Sequence, residues 1–347
     1  MNNSTGIIIS NLGTPKSTQA QDVGKYLKEF LNDPFVISMP QPFRSLFVNL
    51  LIVPRRSHKS AAAYKKIWTQ EGSPLLVNSQ KLIHKLKKLI PNNPIELAMR
   101  YGSPNLEQAF EKMQKKGMKS LLIFPQYPQY AEASTETTKV HCKKINQKYG
   151  FKLKFIDYFY NEDFFLNSYA ELFNSYIKNK KLDLRDTYVL FSYHGLPIRQ
   201  LKSKHPSHCY VSKGCCDRIN DSNQLCYKAQ SLHTTKKLAE LFSLKNHQFS
   251  SSFQSRLGPV KWIEPYTDKV LEKIALSPNF SFKNILVITP AFTADNLETL
   301  EEIAIEGKNS FDETKTNKTN FYTLPCLNDF SPWAEAQSKF IKNNLSF

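Results

Sequence analysis

No apolar run in this 347-residue chain approaches the roughly 18–20 residues needed to cross a bilayer, and its 41% hydrophobic content is too low for a bundle of membrane helices. The opening residues, MNNSTGIIISNLGTP, lack a basic segment followed by a long apolar one, so no secretory signal is expected and the cytoplasm is the default compartment. Acidic residues are outnumbered 47 to 30, a formal charge of +17. The excess is mostly lysine on helix-like stretches such as KLIHKLKKLIP, without the interleaved arginines and aromatics of a nucleic-acid groove. No nucleic-acid partner is therefore expected. An anionic membrane surface or an anionic substrate suits the field better, with a solvated lysine-rich surface as the plain alternative.

What is present is alternation. TGIIISNLG reads as a buried strand ending in a Gly turn, and AQDVGKYLKEFLND as a helix. IELAMRYG, NLEQAFEKMQKKG and KSLLIFPQYP repeat strand, helix, strand. The second half repeats the scheme with TYVLFSYHG, QLCYKAQSLHTTKKLAELFSL, HQFSSSFQSRLG, KNILVITPAF and NLETLEEIAIEG. Strands alternating with helices predict an α/β fold with parallel sheets covered on both faces, and ligand-binding residues gather just after strand C-termini in such sheets. Asn11-Leu12-Gly13, Tyr127-Pro128-Gln129-Tyr130, Ser192-Tyr193-His194-Gly195 and Pro290-Ala291-Phe292 occupy those positions. A site assembled from both halves predicts a cleft between two similar lobes: 1–165, then 166–330, with a C-terminal helix at 331–347 packing back.

Eight segments in order, SNLGTP, YLKEFLNDPFVI, AAAYKKIWTQEGSPLL, ELAMRYGSP, FPQYPQYAEAST, FSYHGLP, FQSRLG and DNLETLEEI, resemble ferrochelatase, which inserts ferrous iron into a porphyrin. The resemblance covers nearly the whole chain. It implies two doubly wound, Rossmann-like lobes with a porphyrin cleft, and protoporphyrin IX and Fe²⁺ as substrates. Porphyrin metallation needs a base for two pyrrole protons, and histidine is the usual choice near neutral pH. His194 ends the apolar strand YVLFSY, and the family's catalytic histidine falls on it. Asp295, Glu298 and Glu302 stand at i, i+3 and i+7, so an α-helix would place all three carboxylates on one face, with Asp295 a candidate N-cap. By the resemblance Glu298 works beside His194 in metal or proton handling, while Glu302 and Asp295 extend the acidic path. Arg100 and Tyr127 match a polar pair on the metal-entry side, and Arg55, Arg56 and Ser73 match positions near the propionates. Leu12 stands where relatives that metallate coproporphyrin often carry tyrosine, which favours protoporphyrin. Asn296 replaces a histidine found in some relatives. MPQPFRSLFVNLLIVPRR, within the expected lip at 34–57, reads either as a greasy surface docking on the inner membrane face or as a buried core helix.

Four of six cysteines, Cys209, Cys215, Cys216 and Cys226, fall in an insertion at about 205–228, just after HGLP. Disulfides are improbable in a reducing cytosol, so a metal centre is expected, either a structural zinc or an iron–sulfur cluster, with free thiols as the remaining alternative. The two C-x₂₋₄-C hooks usual for zinc are missing. One bacterial group of ferrochelatases carries a [2Fe–2S] cluster on an internal cysteine-rich insertion, and the resemblance assigns the four cysteines to such a cluster. Cys142 and Cys326 read as ordinary buried thiols. Two other functions remain open: a chelatase for coproporphyrin, cobalt or nickel chemistry, and a non-catalytic haem or iron–sulfur sensor on the same fold.

Overall fold

The computed structural model describes residues 4–204, 214–256, 258 and 260–346. These divide into two compact units. The first takes in residues up to Tyr127, then Ala131–Tyr158 and the segment from Asn328 onward; the second takes in Pro128–Tyr130 and Phe159–Leu327. The chain passes between them at Tyr158–Phe159, ahead of the boundary expected at 165, which falls inside the helix Asp163–Lys180. The C-terminal helix Ser331–Asn343 belongs to the first unit, where it packs on the helix Pro74–Leu89.

Each unit is built on a four-stranded parallel sheet. The first contains β1 (Thr5–Thr14), β2 (Ile95–Gly102), β3 (Ser120–Pro125) and β4 (Lys152–Phe155), ordered β2-β1-β3-β4. The second contains β5 (Thr187–His194), β6 (Phe249–Gln254), β7 (Asn284–Ile288) and β8 (Asn320–Thr323), ordered β6-β5-β7-β8. The expected α/β architecture with two similar lobes is therefore present. Its cause is visible in the central strands, where Ile7, Ile8 and Ile9 of β1 and Val189, Leu190 and Phe191 of β5 are buried as unbroken apolar runs. Such runs require cover on both faces, which the flanking helices provide. In both sheets the winding direction reverses between the first strand and the third, and the C-terminal ends of that strand pair are where α/β sheets place ligands.

β4 (KLKF) and β8 (NFYT) escape a sequence reading because they are four-residue edge strands with polar residues in them, the composition that blunts an exposed edge.

The lip segment is helical: Phe43–Phe47, a wider π turn at Val48–Ile52, then Val53–Ile67. Pro54 lacks an N–H to donate, and it sits in the first turn of the last helix, directly after the π turn, where that loss is tolerated. The core-helix alternative does not hold, because Phe43, Leu46 and Leu50 are 66%, 60% and 64% exposed, while Val48 alone in this π turn is buried. Among the described residues no helix is long and apolar enough to cross a membrane.

The end of β1 is held against β2 by Gly13, at φ +121°, where an added Cβ would lie 1.8 Å from the Tyr101 carbonyl oxygen. Gly72 has a similar φ of +125° but open space around it. Gly13→Ala should cost at least about 3 kcal/mol, since strain and a backbone collision add, whereas Gly72→Ala should cost only the about 1–2 kcal/mol of a left-handed residue. Denaturant midpoints of the two variants test this, and equal losses would show that the strand contact is soft.

Candidate active site

β5 delivers His194 to the C-terminal edge of the second sheet, in register with Gln254 of β6. The imidazole Nδ1 lies 2.6 Å from the Gly195 carbonyl oxygen, which can only accept, so Nδ1 carries a proton and Nε2 keeps a lone pair when the ring is neutral. Phe292, in the loop after β7, meets the ring edge-on at 6.2 Å. A base with one nitrogen oriented by the backbone and the other available is the arrangement that proton abstraction requires.

The acidic stripe differs from its α-helical expectation. Glu298–Gly307 is π-helical, so its hydrogen bonds run from i to i+5, and Glu298 and Glu302 lie about one wider turn apart. Burial pushes the Glu298 carboxyl above the ordinary glutamate range, attraction to His194 opposes that, and repulsion from Glu302 and Glu301 adds to it. Glu302 is clamped by the Ser255 N–H at 2.8 Å, by the Ser255 hydroxyl and by Gln254 Nε2 at 3.3 Å. Gln254 Nε2 also donates to the Glu298 carbonyl at 2.9 Å, and its Oε1 accepts from Ser192 at 2.7 Å. Ser255 adopts φ +68°, a strained setting for a residue with a Cβ, and in this conformation both its donors reach one carboxylate. Gln254 and Ser255 were not among the candidate residues, although the segment FQSRLG that carries them was singled out.

Asp295 lies before the π-helix and is turned inward, its Oδ1 accepting from the Cys326 N–H and the Thr299 hydroxyl, both at 3.1 Å. The cap belongs to its neighbour: Asn296 Oδ1 accepts from the Thr299 N–H, and the Asn296 N–H donates to the Thr299 hydroxyl, each at 3.0 Å. A short amide side chain at this position thus does capping work that an imidazole would do poorly.

In the first unit, Arg100 of β2 is committed to a buried ion pair with Asp33, and its Nε donates to Thr137 at 2.9 Å. Asp33 Oδ2 accepts also from Tyr101 at 2.9 Å and from Thr137 at 2.6 Å, and Oδ1 accepts from the Phe35 N–H at 2.8 Å. Asp33 is the partner that sequence reasoning missed, because nothing local in LNDPF marks it as a hub. Burial pushes the Tyr127 phenol above its usual range, and it lowers His141, on the helix Thr137–Tyr149, to about 4 with Arg100 adding to the effect. Leu12 is the one partly exposed residue of β1, at its C-terminal end. Ser73 is buried and its hydroxyl accepts from Thr14 at 2.8 Å. Arg55 and Arg56 are exposed on the helix Val53–Ile67, with Arg55 Nη1 donating to the Leu51 carbonyl at 3.2 Å.

Cys209 lies outside the described residues. Cys215 and Cys216 have their sulfurs 3.6 Å apart, and the Cys216 thiol is pushed far up by hydrogen bonding with Cys226, by burial and by Cys215. Three thiols are thus drawn to one place. Among the described residues, however, no group of three or more His, Cys, Asp or Glu side chains is arranged to hold a metal ion. Cys142 and Cys326 are buried elsewhere, the former pushed up to about 12 by burial.

A histidine beside a half-buried glutamate, at the end of a parallel sheet, is the geometry that the family comparison explains. The ferrochelatase family model matches residues 4–345. The chain belongs to the ferrochelatase family. The ferrochelatase of Opitutus terrae is 40% identical over 336 residues, covering 95% of this chain and 94% of its own. That of Pseudomonas fluorescens is 40% identical over 337 residues, 95% of each chain, and that of Coxiella burnetii 38% over 350, 99% and 95%. Among solved structures, SirB from Bacillus subtilis with Fe³⁺ aligns at a TM-score of 0.57 with 9% identity, covering 99% of this chain and 96% of that one. The sirohydrochlorin chelatase SirB from Bacillus subtilis subspecies spizizenii in complex with cobalt aligns at 0.51 with 10% identity, over 99% and 95%. At such identities the likeness is one of fold. This ferrochelatase-family chain is a metal-chelating enzyme, and the family implies a porphyrin and Fe²⁺ as its substrates.

The raised Glu298 carboxyl has a consequence for stability. A carboxyl whose folded pKa lies above the unfolded 4.5 stabilises the fold only while protonated, so its contribution is present below 4.5 and is lost as pH rises through the folded value. Glu298→Gln removes that loss. The variant should therefore gain on the wild type as pH rises from 4.5 towards neutrality, by about 1.4 kcal/mol for each unit of the shift, while iron insertion falls steeply. Unfolding midpoints across pH check this; a gain that instead shrinks with rising pH would reverse the assignment.

Proposed function

We propose that the protein inserts Fe²⁺ into protoporphyrin IX to form protohaem, the last step of haem synthesis. The observation that carries this reading is His194 at the end of β5, its Nδ1 fixed on the Gly195 carbonyl, beside the Glu298 carboxyl whose proton affinity is raised by burial. Insertion replaces two pyrrole N–H protons with one divalent ion and changes no oxidation state. His194 Nε2 accepts the protons in turn, Nδ1 remains fixed on Gly195, and Glu298 takes each proton on or receives the metal. Glu302, held by Ser255 and Gln254, continues the acidic route. The exposed guanidinium groups of Arg55 and Arg56 offer planar donors for propionates, and Leu12 leaves space and an apolar wall where a phenol would favour more carboxylated rings.

Two finer assignments accompany this one. Cys215, Cys216 and Cys226, with Cys209, hold a [2Fe–2S] cluster; the convergence of three thiols supports it, and soft thiolate donors suit iron–sulfur chemistry. When bound, the cluster supplies folding free energy to a loop with little core of its own. Phe43, Leu46 and Leu50, exposed beside Arg55 and Arg56, dock peripherally on the inner membrane face, where an apolar porphyrin partitions.

The reading is tested by adding Fe²⁺ and protoporphyrin IX to anaerobically purified protein and following the haem spectrum. His194→Ala should abolish insertion, a fall of at least about a hundredfold for loss of a general base, while protoporphyrin still binds. Near-normal turnover by that variant would overturn the mechanism, and a preference for coproporphyrin would move the substrate.

The cluster has its own readout. The purified protein should be reddish, with two irons and two sulfides per chain and visible bands that bleach on reduction. Serine at Cys209, Cys215, Cys216 or Cys226 should remove most of the colour, and serine at Cys142 or Cys326 should not. Colourless protein with one zinc per chain would assign the thiols to zinc, and colour that survives all four substitutions would place the ligands elsewhere.

A further inference from the structure

The loop that carries the thiols is organised by side-chain amides. Asn223 is buried; its Nδ2 donates to the carbonyls of Cys215 at 2.6 Å and Arg218 at 2.8 Å, and its Oδ1 accepts from the Asn220 N–H at 2.8 Å. Its own carbonyl accepts from the Cys226 N–H at 2.7 Å. One residue on, the Gln224 carbonyl accepts from Gln230 Nε2 at 2.6 Å, and Gln230 Oε1 accepts from the Tyr130 N–H at 2.6 Å. Gln230 has no exposed surface, so one buried carboxamide bridges the thiol loop and a segment a hundred residues away in sequence. Beside it, Gln129 Nε2 donates to Thr234, one turn further along the helix Tyr227–Leu241, and reaches the Pro290 carbonyl after β7, two residues before the Phe292 that packs on His194.

We propose that Gln230 is a positioning residue that couples the cysteine-bearing loop to the 129–130 segment at the sheet edge where His194 stands, whatever the thiols carry. A buried amide with both ends engaged has no solvent to turn to, so a shift of Gln224 moves either the carboxamide or the Tyr130 backbone with it. Coupling of this kind is reciprocal: loading or modifying the thiols alters the order of residues 129–130, and occupancy of the sheet edge alters the order of the loop.

A merely structural glutamine would satisfy two backbone groups without transmitting anything between them, and hydrogen exchange at the Tyr130 amide separates the two roles. Asn223→Ala loosens the loop by removing the donations to the Cys215 and Arg218 carbonyls. In the full-length purified protein it should speed exchange of the Tyr130 amide threefold or more, with the buried amides of Val189 and Phe191 as the unperturbed reference. In a Gln230→Met background, where Tyr130 has lost this acceptor, Asn223→Ala should add less than threefold. Should Asn223→Ala not fold, Asn223→Asp, which keeps the acceptor and loses both Nδ2 donations, is measured in its place. An effect below threefold in the wild-type background, or the same factor persisting without Gln230, would overturn the proposal.

Discussion

The clamp on Glu302 is the interaction on which the sheet edge carrying His194 depends. Two consecutive residues at the end of β6 supply it, Gln254 through its amide and Ser255 through N–H and hydroxyl. Gln254 is also the strand partner of His194 and a donor to the Glu298 carbonyl. The base, the raised carboxyl and the fixed carboxylate are therefore tied to one glutamine. The left-handed conformation of Ser255 costs free energy, and that cost is offset because its two donors reach a carboxylate that would otherwise be desolvated with fewer partners.

Four residues span close to one turn in an α-helix and in the wider π winding alike, so Glu298 and Glu302 share a face of the π-helix as they would of an α-helix. Asn296 starts this winding with its reciprocal bond to Thr299, and Asp295 is drawn into the interior by Cys326 and Thr299. The stripe is thus two carboxylates deep on the helix itself.

The strands TGIIISNLG, IELAMRYG and TYVLFSYHG were legible because fully buried parallel strands are continuous apolar runs, and the position of His194 followed from the end of one of them. What was not legible depended on contacts distant in sequence. Asp33 meets Arg100 from 67 positions away, and Gln230 meets Tyr130 from 100. The π winding was hidden because its apolar spacing fits an α-helix equally well over ten residues. The lip read ambiguously for a different cause: periodicity reports which residues share a face, and only the tertiary structure shows that the face with Phe43, Leu46 and Leu50 has no core behind it.

Four buried or half-buried carboxyl groups differ in how they are satisfied. Asp33 receives an arginine, two hydroxyls and a backbone N–H; Asp295 receives a backbone N–H and a hydroxyl; Glu302 receives three donors. These donors hold each side chain in one orientation, which suits a fixed structural role. Glu298 stands apart, since burial and two like-charged neighbours raise its proton affinity and the attraction of His194 is the main force opposing them. A carboxyl left in that state destabilises the fold when ionised, and such a cost is retained where the group must exchange a proton or a cation during turnover. The proposed proton handling therefore rests on Glu298 and its partner His194, whereas Glu302 is held by the end of β6.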